Sequence, residues 1–315
     1  MLLEMVLVIV SLIFLAISSD KAVENVIKIS KILGIHGLSA GFIILSVSTT
    51  LPELFVSVNS SLLGESGLSL GNVLGSNIAN VTIILGLAFF LSKRRFIQFN
   101  KRVFNELLNF LFVASFVPLF ILQTGNLSFF MGIILVVFFI FFSLKTPKKV
   151  EGIQELETIT TREKSITYIK FAISIFVVLV SSNVLVNNSV TIATLLGIPN
   201  SIIGATIIAF GTSLPELSTV TQAFRKRLYD VGMGNIIGSC ITNITLILGL
   251  SSILSSNPIN VFSFSTLILF TILSMMITWY FISTERKIDR KEAAILIGIY
   301  GVFLLQELGI ISYFF

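Results

Sequence analysis

Two glutamates stand inside long apolar segments of the chain, and each directly follows a proline. They are Glu53, in the sequence TTLPEL, and Glu216, in the sequence TSLPEL. A threonine precedes each glutamate by four residues, Thr49 and Thr212 respectively, so in a helix it shares the glutamate's face. A carboxylate in an apolar segment is costly and usually functional. Together with hydroxyl groups it offers the oxygen ligands that hard cations prefer.

A second pair of motifs adds further oxygen ligands. Residues 71–87 read GNVLGSNIANVTIILGL and residues 234–250 read GNIIGSCITNITLILGL, with 11 of 17 positions identical. Each copy contains GxxxG, a spacing that lets membrane helices approach closely. We therefore expect these segments to pack against the segments that carry the glutamates. Each copy also places a serine and an asparagine four residues apart: Ser76 with Asn80, and Ser239 with Asn243.

The two pairs of motifs share one offset of 163 residues, so a long segment is duplicated without a gap. The chain is 55% hydrophobic and only 12% charged, and its mean hydropathy is +1.00. This composition indicates an all-α polytopic membrane protein and gives no reason to expect nucleic acid as a partner. Cys240 is the only cysteine, so no internal disulfide forms.

Ten apolar segments are long enough to be transmembrane helices. Proline removes a helical hydrogen bond and displaces the carbonyl four residues back, which predicts broken helices at Pro52 and Pro215. Such breaks at membrane depth are tolerated where the freed backbone groups face a cavity or an ion. The predicted spans are 2–19, 38–62, 69–92, 104–123, 127–144, 166–186, 200–224, 231–254, 262–282 and 292–313.

The basic residues predict the orientation. Of the 21 lysines and arginines, 20 fall in the odd-numbered connections between spans. The positive-inside rule then places those connections in the cytoplasm and both termini outside. Since five spans separate equivalent points, the copies cross in opposite directions. We therefore predict two inverted five-helix repeats, 1–145 and 166–315, joined by a short cytoplasmic linker at 146–165. The broken helices of both repeats would meet at a central ion site.

These residues resemble the calcium/cation antiporter superfamily, specifically its sodium/calcium exchanger branch of the prokaryotic type. That family carries two inverted α-repeats with GTSLPE and GNxxGSxxxN/D signatures. The second copy, beginning at Gly211, matches GTSLPE fully, whereas the first copy has Ser48 for glycine and Thr50 for serine. The resemblance implies a plasma-membrane secondary transporter, with the lipid bilayer as its surroundings, and neither an enzyme nor a cofactor-dependent protein.

The resemblance also implies a set of ligands for the transported ions. Glu53 and Glu216 would be the acidic ligands, and Thr49 and Thr212 would offer oxygens beside them. Asn243 stands where many sodium/calcium exchangers have aspartate, which leaves two acids in place of three. The remaining implied ligands are the hydroxyls of Thr50, Ser76, Ser213 and Ser239, the amide of Asn80, and the backbone carbonyls of Ser46 and Ala209.

The leading hypothesis is exchange of Ca²⁺ for Na⁺ by alternating access, with the chain acting as a monomer. The first alternative is exchange of Ca²⁺ or another cation for H⁺, because carboxylates titrate as well as bind Na⁺. A cation channel is a minor alternative. An intramembrane aspartyl protease is disfavoured because all three aspartates lie in or beside connections, and a zinc protease because the chain has one histidine.

Overall fold

The chain is almost entirely helical over residues 2–32, 47, 49–93, 96–98, 101–145, 161–255, 259–260, 264–285 and 287–310, which the computed structural model describes. Its strands are β1 (Phe96–Gln98), β2 (Asn126–Leu127), β3 (Ile259–Asn260) and β4 (Lys287–Asp289). Its helices are α1 (Leu2–Ile32), α2 (Leu51–Leu62), α3 (Ser66–Leu91), α4 (Lys101–Thr124), α5 (Phe129–Lys145), α6 (Thr161–Leu196), α7 (Asn200–Thr212), α8 (Leu214–Arg225), α9 (Tyr229–Leu254), α10 (Ser265–Glu285) and α11 (Arg290–Glu307).

The helices have the lengths and surfaces of a membrane protein. Within the described part of the chain, four helices are long and apolar enough to cross a membrane, and the bent pair α7 and α8 adds a fifth. Large apolar side chains such as Ile9, Phe130 and Phe176 are more than half exposed. Exposed apolar surface on this scale suits lipid rather than water. The predicted number of ten spans stays a prediction.

Two helices extend well beyond the predicted spans. The spans 2–19 and 166–186 lie within α1 and α6, which have 31 and 36 residues. Neither the stretch from 20 to 32 nor that from 187 to 196 contains a glycine or proline to end the helix. Lys21 and Glu24 pair at 3.0 Å on the extended part of α1. The helix α6 begins at Thr161, so the predicted linker is helical from that residue, and residues 146–160 lie outside the described ranges.

Helix boundaries recur at the offset found in the sequence. The helix α8 begins and ends 163 residues after α2, and α9 begins and ends 163 residues after α3. Inside α3 and α9, π-helical turns at Asn80–Ile84 and Asn243–Ile247 keep the same offset. The duplicated sequence therefore adopts duplicated local structure.

Short strands tie the helix connections together, which an all-α prediction did not include. The strand β1 pairs antiparallel with β4, with Ile97 opposite Ile288, and β2 pairs antiparallel with β3, with Leu127 opposite Ile259. At these connections the backbone leaves helical geometry, and pairing satisfies its polar groups.

The helices α3 and α9 form the centre of the bundle. In each of these two helices, 83% of an apolar stretch of 18 residues is buried inside the protein, compared with 33% in α6. Gly71 and Gly75 of α3 face the backbone of Ser201 and Ala205 in α7 so closely that an added Cβ would clash. This GxxxG segment therefore packs against the broken span 200–224, as predicted. The close approach brings groups from the two halves of the chain together.

Candidate ion-binding site

Two helix breaks position the glutamates. The backbone leaves helical geometry at Thr50 (φ −85°, ψ 6°) and at Ser213 (φ −85°, ψ 8°), and the axes of α7 and α8 differ by 41°. Each proline lies in the first turn of the new helix, where a missing N–H breaks no helical hydrogen bond. Both breaks predicted from Pro52 and Pro215 therefore lie two residues before the proline, because each proline begins a helix and does not interrupt one.

The two carboxylates are fully buried, each in the first turn of its helix. Glu53 Oε1 accepts a hydrogen bond from Ser213 Oγ at 2.9 Å, across the two halves of the chain. Glu216 Oε1 accepts one from Ser239 Oγ at 3.3 Å. The second oxygen, Oε2, of each glutamate is buried without a hydrogen-bond partner among the described residues. Buried polar atoms are rarely left this way, so these oxygens are free to bind a ligand.

The threonines that precede the glutamates reach into the opposite half of the chain. Thr49 Oγ1 donates to Asn235 Oδ1 at 3.1 Å and lies 3.4 Å from Ser239 Oγ. Thr212 Oγ1 lies 3.3 Å from Asn72 Oδ1 and 3.3 Å from the carbonyl oxygen of Ala209. Each half of the site is thus completed by the other half.

Two of the other predicted hydroxyl ligands, Ser76 and Thr50, donate hydrogen bonds to backbone carbonyls near the helix breaks. Ser76 Oγ donates to the carbonyl oxygen of Ala209 at 3.4 Å, so this carbonyl lies where α3 meets the broken helix. Thr50 Oγ1 donates to the carbonyl oxygen of Val47 at 3.1 Å, beside the break. Ser46, the other residue expected to offer a carbonyl, lies outside the described ranges.

Asn80 and Asn243 begin the π-helical turns of α3 and α9, which are common at functional sites. Asn243 Nδ2 donates to Asn77 Oδ1 at 3.0 Å, while its Oδ1 has no partner among the described residues. The residue equivalent to Asn77 is Cys240, which offers no amide to Asn80. Both polar atoms of the Asn80 amide are accordingly buried without a partner in the described part of the chain.

Asn72 and Asn235 were not among the predicted site residues, although the structure places them beside the threonines. Asn72 Nδ2 also donates to Ser57 Oγ at 2.8 Å and lies 3.3 Å from the carbonyl oxygen of Glu53. Both asparagines are the second residue of the repeated GN motif. The repetition of this polar residue in an apolar segment is the sequence signal that could have identified them.

The arrangement is a cluster of oxygen atoms with two acidic groups. Among the described residues, no group of three or more histidine, cysteine, aspartate or glutamate side chains is placed to hold a metal ion. The cluster therefore combines two carboxylates with neutral hydroxyl, amide and carbonyl oxygens. Oxygen ligands of this kind suit hard cations such as Ca²⁺ and Mg²⁺.

Comparison with known proteins gives relatives along nearly the whole chain. A family model described as "Sodium/calcium exchanger protein" matches residues 3–145 and 166–308. The sodium/calcium exchanger MaX1 of Methanosarcina acetivorans is 32% identical over 347 residues, covering 95% of this chain and 97% of the relative. The inner membrane protein YrbG of Escherichia coli is 31% identical over 295 residues, covering 89% and 90%.

Solved structures share the fold. A structure of the sodium-calcium exchanger NCX_Mj superposes with a TM-score of 0.63 at 25% identity, covering 95% of this chain and 97% of that one. A structure of the H⁺/Ca²⁺ exchanger CAX superposes with a TM-score of 0.75 at 17% identity, covering 98% and 87%. At that identity the second likeness shows the fold alone.

Proposed function

Because the chain belongs to the sodium/calcium exchanger family, we propose that it is a membrane antiporter that exchanges Ca²⁺ for Na⁺. One observation carries the proposal. Glu53 and Glu216, fully buried and contributed by the two halves of the chain, each keep one carboxylate oxygen without a hydrogen-bond partner among the described residues. The transported ion would bind between these oxygens.

The charge and chemistry of the cluster favour Ca²⁺ as a substrate. Ca²⁺ binds six to eight oxygen atoms in flexible geometry, and carboxylates, hydroxyls, amides and carbonyls all serve as its ligands. Two carboxylates neutralise one divalent ion or two monovalent ions. We propose as ligands Glu53, Glu216, Thr49, Thr212, Thr50, Ser213, Ser76, Ser239, Asn80, Asn243, Ala209 and Ser46.

The same charge balance explains why transport would be an exchange. Two ionised carboxylates without a cation are expensive in a buried site. The site would therefore switch readily from one side of the membrane to the other when a cation or protons occupy it, and only rarely when it is empty. After Ca²⁺ is released on one side of the membrane, Na⁺ would have to bind before the site can open again to the other side.

Two inverted repeats, at 1–145 and 166–315 with a linker at 146–165, would supply the alternating access. The matching boundaries of α2 with α8 and of α3 with α9 support a structural repeat. The hydrogen bond from Ser213 to Glu53 supports a site shared between the halves. Because the two halves complete one site, we propose that the protein works as a monomer in the plasma membrane.

Protons are the second candidate for the counter-ion. Asn243 stands where many members of the family have an acid, and this residue lies one turn after Ser239, which binds Glu216. A site with fewer acids has less negative charge with which to hold several Na⁺ ions. The two carboxylates could instead carry protons on the return step.

A flux experiment distinguishes the two counter-ions. Liposomes containing the purified protein are loaded with Na⁺ and diluted into Na⁺-free medium with radiolabelled Ca²⁺, while an ionophore collapses the pH gradient. We expect Ca²⁺ uptake that is lost when K⁺ replaces the internal Na⁺. Uptake driven by a pH gradient alone, with no response to Na⁺, would replace Na⁺ with H⁺ in the proposal.

A second prediction concerns the orientation of the two halves in the membrane. It can be tested at two equivalent positions that should face opposite sides. Leu63 and Lys226 are 163 residues apart, and both are exposed beside the ends of α2 and α8. In a Cys240→Ala background, we expect Leu63→Cys to react with a membrane-impermeant thiol reagent in intact cells and Lys226→Cys to be protected. Both should react after permeabilisation. Equal labelling of the two in intact cells would contradict the inverted arrangement.

A further inference from the structure

Asn72 and Asn235 each contact a threonine of the proposed site from the opposite half of the chain. Thr212 Oγ1 lies 3.3 Å from Asn72 Oδ1, and Thr49 Oγ1 lies 3.1 Å from Asn235 Oδ1. All four residues are buried. Each asparagine therefore offers an acceptor for the hydroxyl proton of a proposed ion ligand. The carbonyl oxygen of Ala209 lies equally near Thr212 Oγ1, at 3.3 Å, but it is itself a proposed ion ligand, so Asn72 is the acceptor that remains when a cation binds.

The direction of that proton matters for cation binding. A hydroxyl has one proton and two lone pairs. When its proton is donated to an amide oxygen, its lone pairs are left for a cation on the other side. When the proton has no fixed acceptor, it must be turned away from the cation each time one binds. A fixed acceptor thus prepares the hydroxyl as a ligand.

The amide of Asn72 is held in one orientation. Its nitrogen lies 2.8 Å from Ser57 Oγ and 3.3 Å from the carbonyl oxygen of Glu53. A carbonyl oxygen only accepts hydrogen bonds, so the amide nitrogen must face it. Oδ1 of Asn72 must then face Thr212.

The equivalent amide of Asn235 lacks this support. The residue 163 positions after Ser57 is Val220, which is fully buried and offers no hydrogen-bond acceptor from its side chain. Nδ2 of Asn235 is buried without a hydrogen-bond partner among the described residues. Among the described residues, the hydrogen bond from Thr49 is therefore the one that orients this amide.

We propose that Asn72, held by Ser57, is a positioning residue that fixes the Thr212 hydroxyl as an acceptor facing the transported cation. Val220 gives the Asn235 amide no acceptor of the kind that Ser57 gives Asn72. The two halves of the site then differ in how firmly the asparagine amide beside each threonine is held. This inference rests on the proposed function, since it assumes that a cation binds beside Thr212.

Three substitutions test the inference through the KM for Ca²⁺. Ser57→Ala removes the closer acceptor of the Asn72 amide, and Asn72→Leu removes the amide itself. A buried hydrogen bond contributes about 0.5–1.5 kcal/mol, which corresponds to roughly 2- to 10-fold in affinity. We expect Ser57→Ala to raise KM within that range and Asn72→Leu to raise it further. Val220→Ser, which gives Asn235 an acceptor, should lower KM.

The experiment measures initial rates of Ca²⁺ uptake in liposomes over a range of Ca²⁺ concentrations. A residue that only supports folding would change the amount of active protein and therefore the maximal rate, whereas KM does not depend on that amount. Ser60→Ala is the matched control, because Ser60 Oγ binds the carbonyl oxygen of Val56 in its own helix. Its KM should stay at the parental value.

The outcomes separate this inference from the proposed function. Raised KM in Ser57→Ala and Asn72→Leu, with lowered KM in Val220→Ser, would support it. Unchanged KM in all three variants, in a parent that transports Ca²⁺, would overturn the positioning role and leave the antiport proposal intact. A parent that neither binds nor transports Ca²⁺ would overturn both.

Discussion

Replacing either Glu53 or Glu216 with glutamine is expected to abolish Ca²⁺ exchange while the protein still folds. Glutamine has the size of glutamate, and its oxygen can still accept the hydrogen bond that Ser213 or Ser239 donates. The substitution removes one of the two negative charges and turns an amide nitrogen toward the ion. Losing one partner of a buried charge pair costs about 3–5 kcal/mol, so Ca²⁺ affinity should fall by at least about 100-fold.

The measurement is radiolabelled Ca²⁺ uptake in liposomes, normalised to the amount of protein that elutes as a folded species in detergent. Glu307→Gln is a suitable control, because Glu307 is a partly buried glutamate at the end of α11, outside the proposed site. We expect this control to retain parental exchange. Substantial exchange in both Glu53→Gln and Glu216→Gln would rule out the proposed site.

Asn243→Asp should make Ca²⁺ transport more strongly dependent on pH than it is in the parent, with the variant closest to the parent at acidic pH. The new carboxyl would lie in the same buried cluster as Glu53 and Glu216, where three like charges cannot all remain ionised. The local hydrogen bonds act in the same direction. The Asn243 amide donates to Asn77 Oδ1, a bond that a protonated carboxyl can replace and an ionised one cannot. Asn77 is held in place by its bond to the carbonyl oxygen of Cys240.

The test compares initial Ca²⁺ uptake rates of parent and variant across the neutral pH range. The protonated variant keeps the charge of the parent site and the bond to Asn77, so its rate should approach the parental rate at acidic pH and depart from it by up to about tenfold per unit of pH as the new carboxyl ionises. Cys240→Ala is the control, because it changes a neighbouring buried side chain without adding a charge. Superimposable pH profiles for Asn243→Asp and the parent would mean that residue 243 does not face the ion.

Much of the candidate site was predictable because the chain contains each motif twice. A single Pro-Glu pair in an apolar segment has several explanations, but two copies at one offset, each with a threonine four residues earlier, indicate a shared site. Gly71 and Gly75 likewise predicted the close packing of α3 against the broken span, since only small residues allow such an approach. Local patterns of this kind are visible without knowledge of the fold.

Other features depend on contacts that a sequence does not display. The hydrogen bond from Thr212 to Asn72 joins residues 140 positions apart. The difference between Ser57 and Val220 is visible in the aligned repeats, yet it gains meaning only once Asn72 is seen to bind Ser57. The strand pairs between helix connections are similarly non-local, and β1 and β4 are only three residues long.

The most direct test of the central claim is a crystal structure of the protein soaked with Sr²⁺, whose strong anomalous scattering marks its position. Sr²⁺ has the charge and oxygen preference of Ca²⁺, so it should occupy the same ligands. The account predicts an anomalous peak between the carboxylates of Glu53 and Glu216, within bonding distance of both, that weakens as Na⁺ is added. A Sr²⁺ peak elsewhere in the membrane-embedded region, with neither glutamate as a ligand, would contradict it.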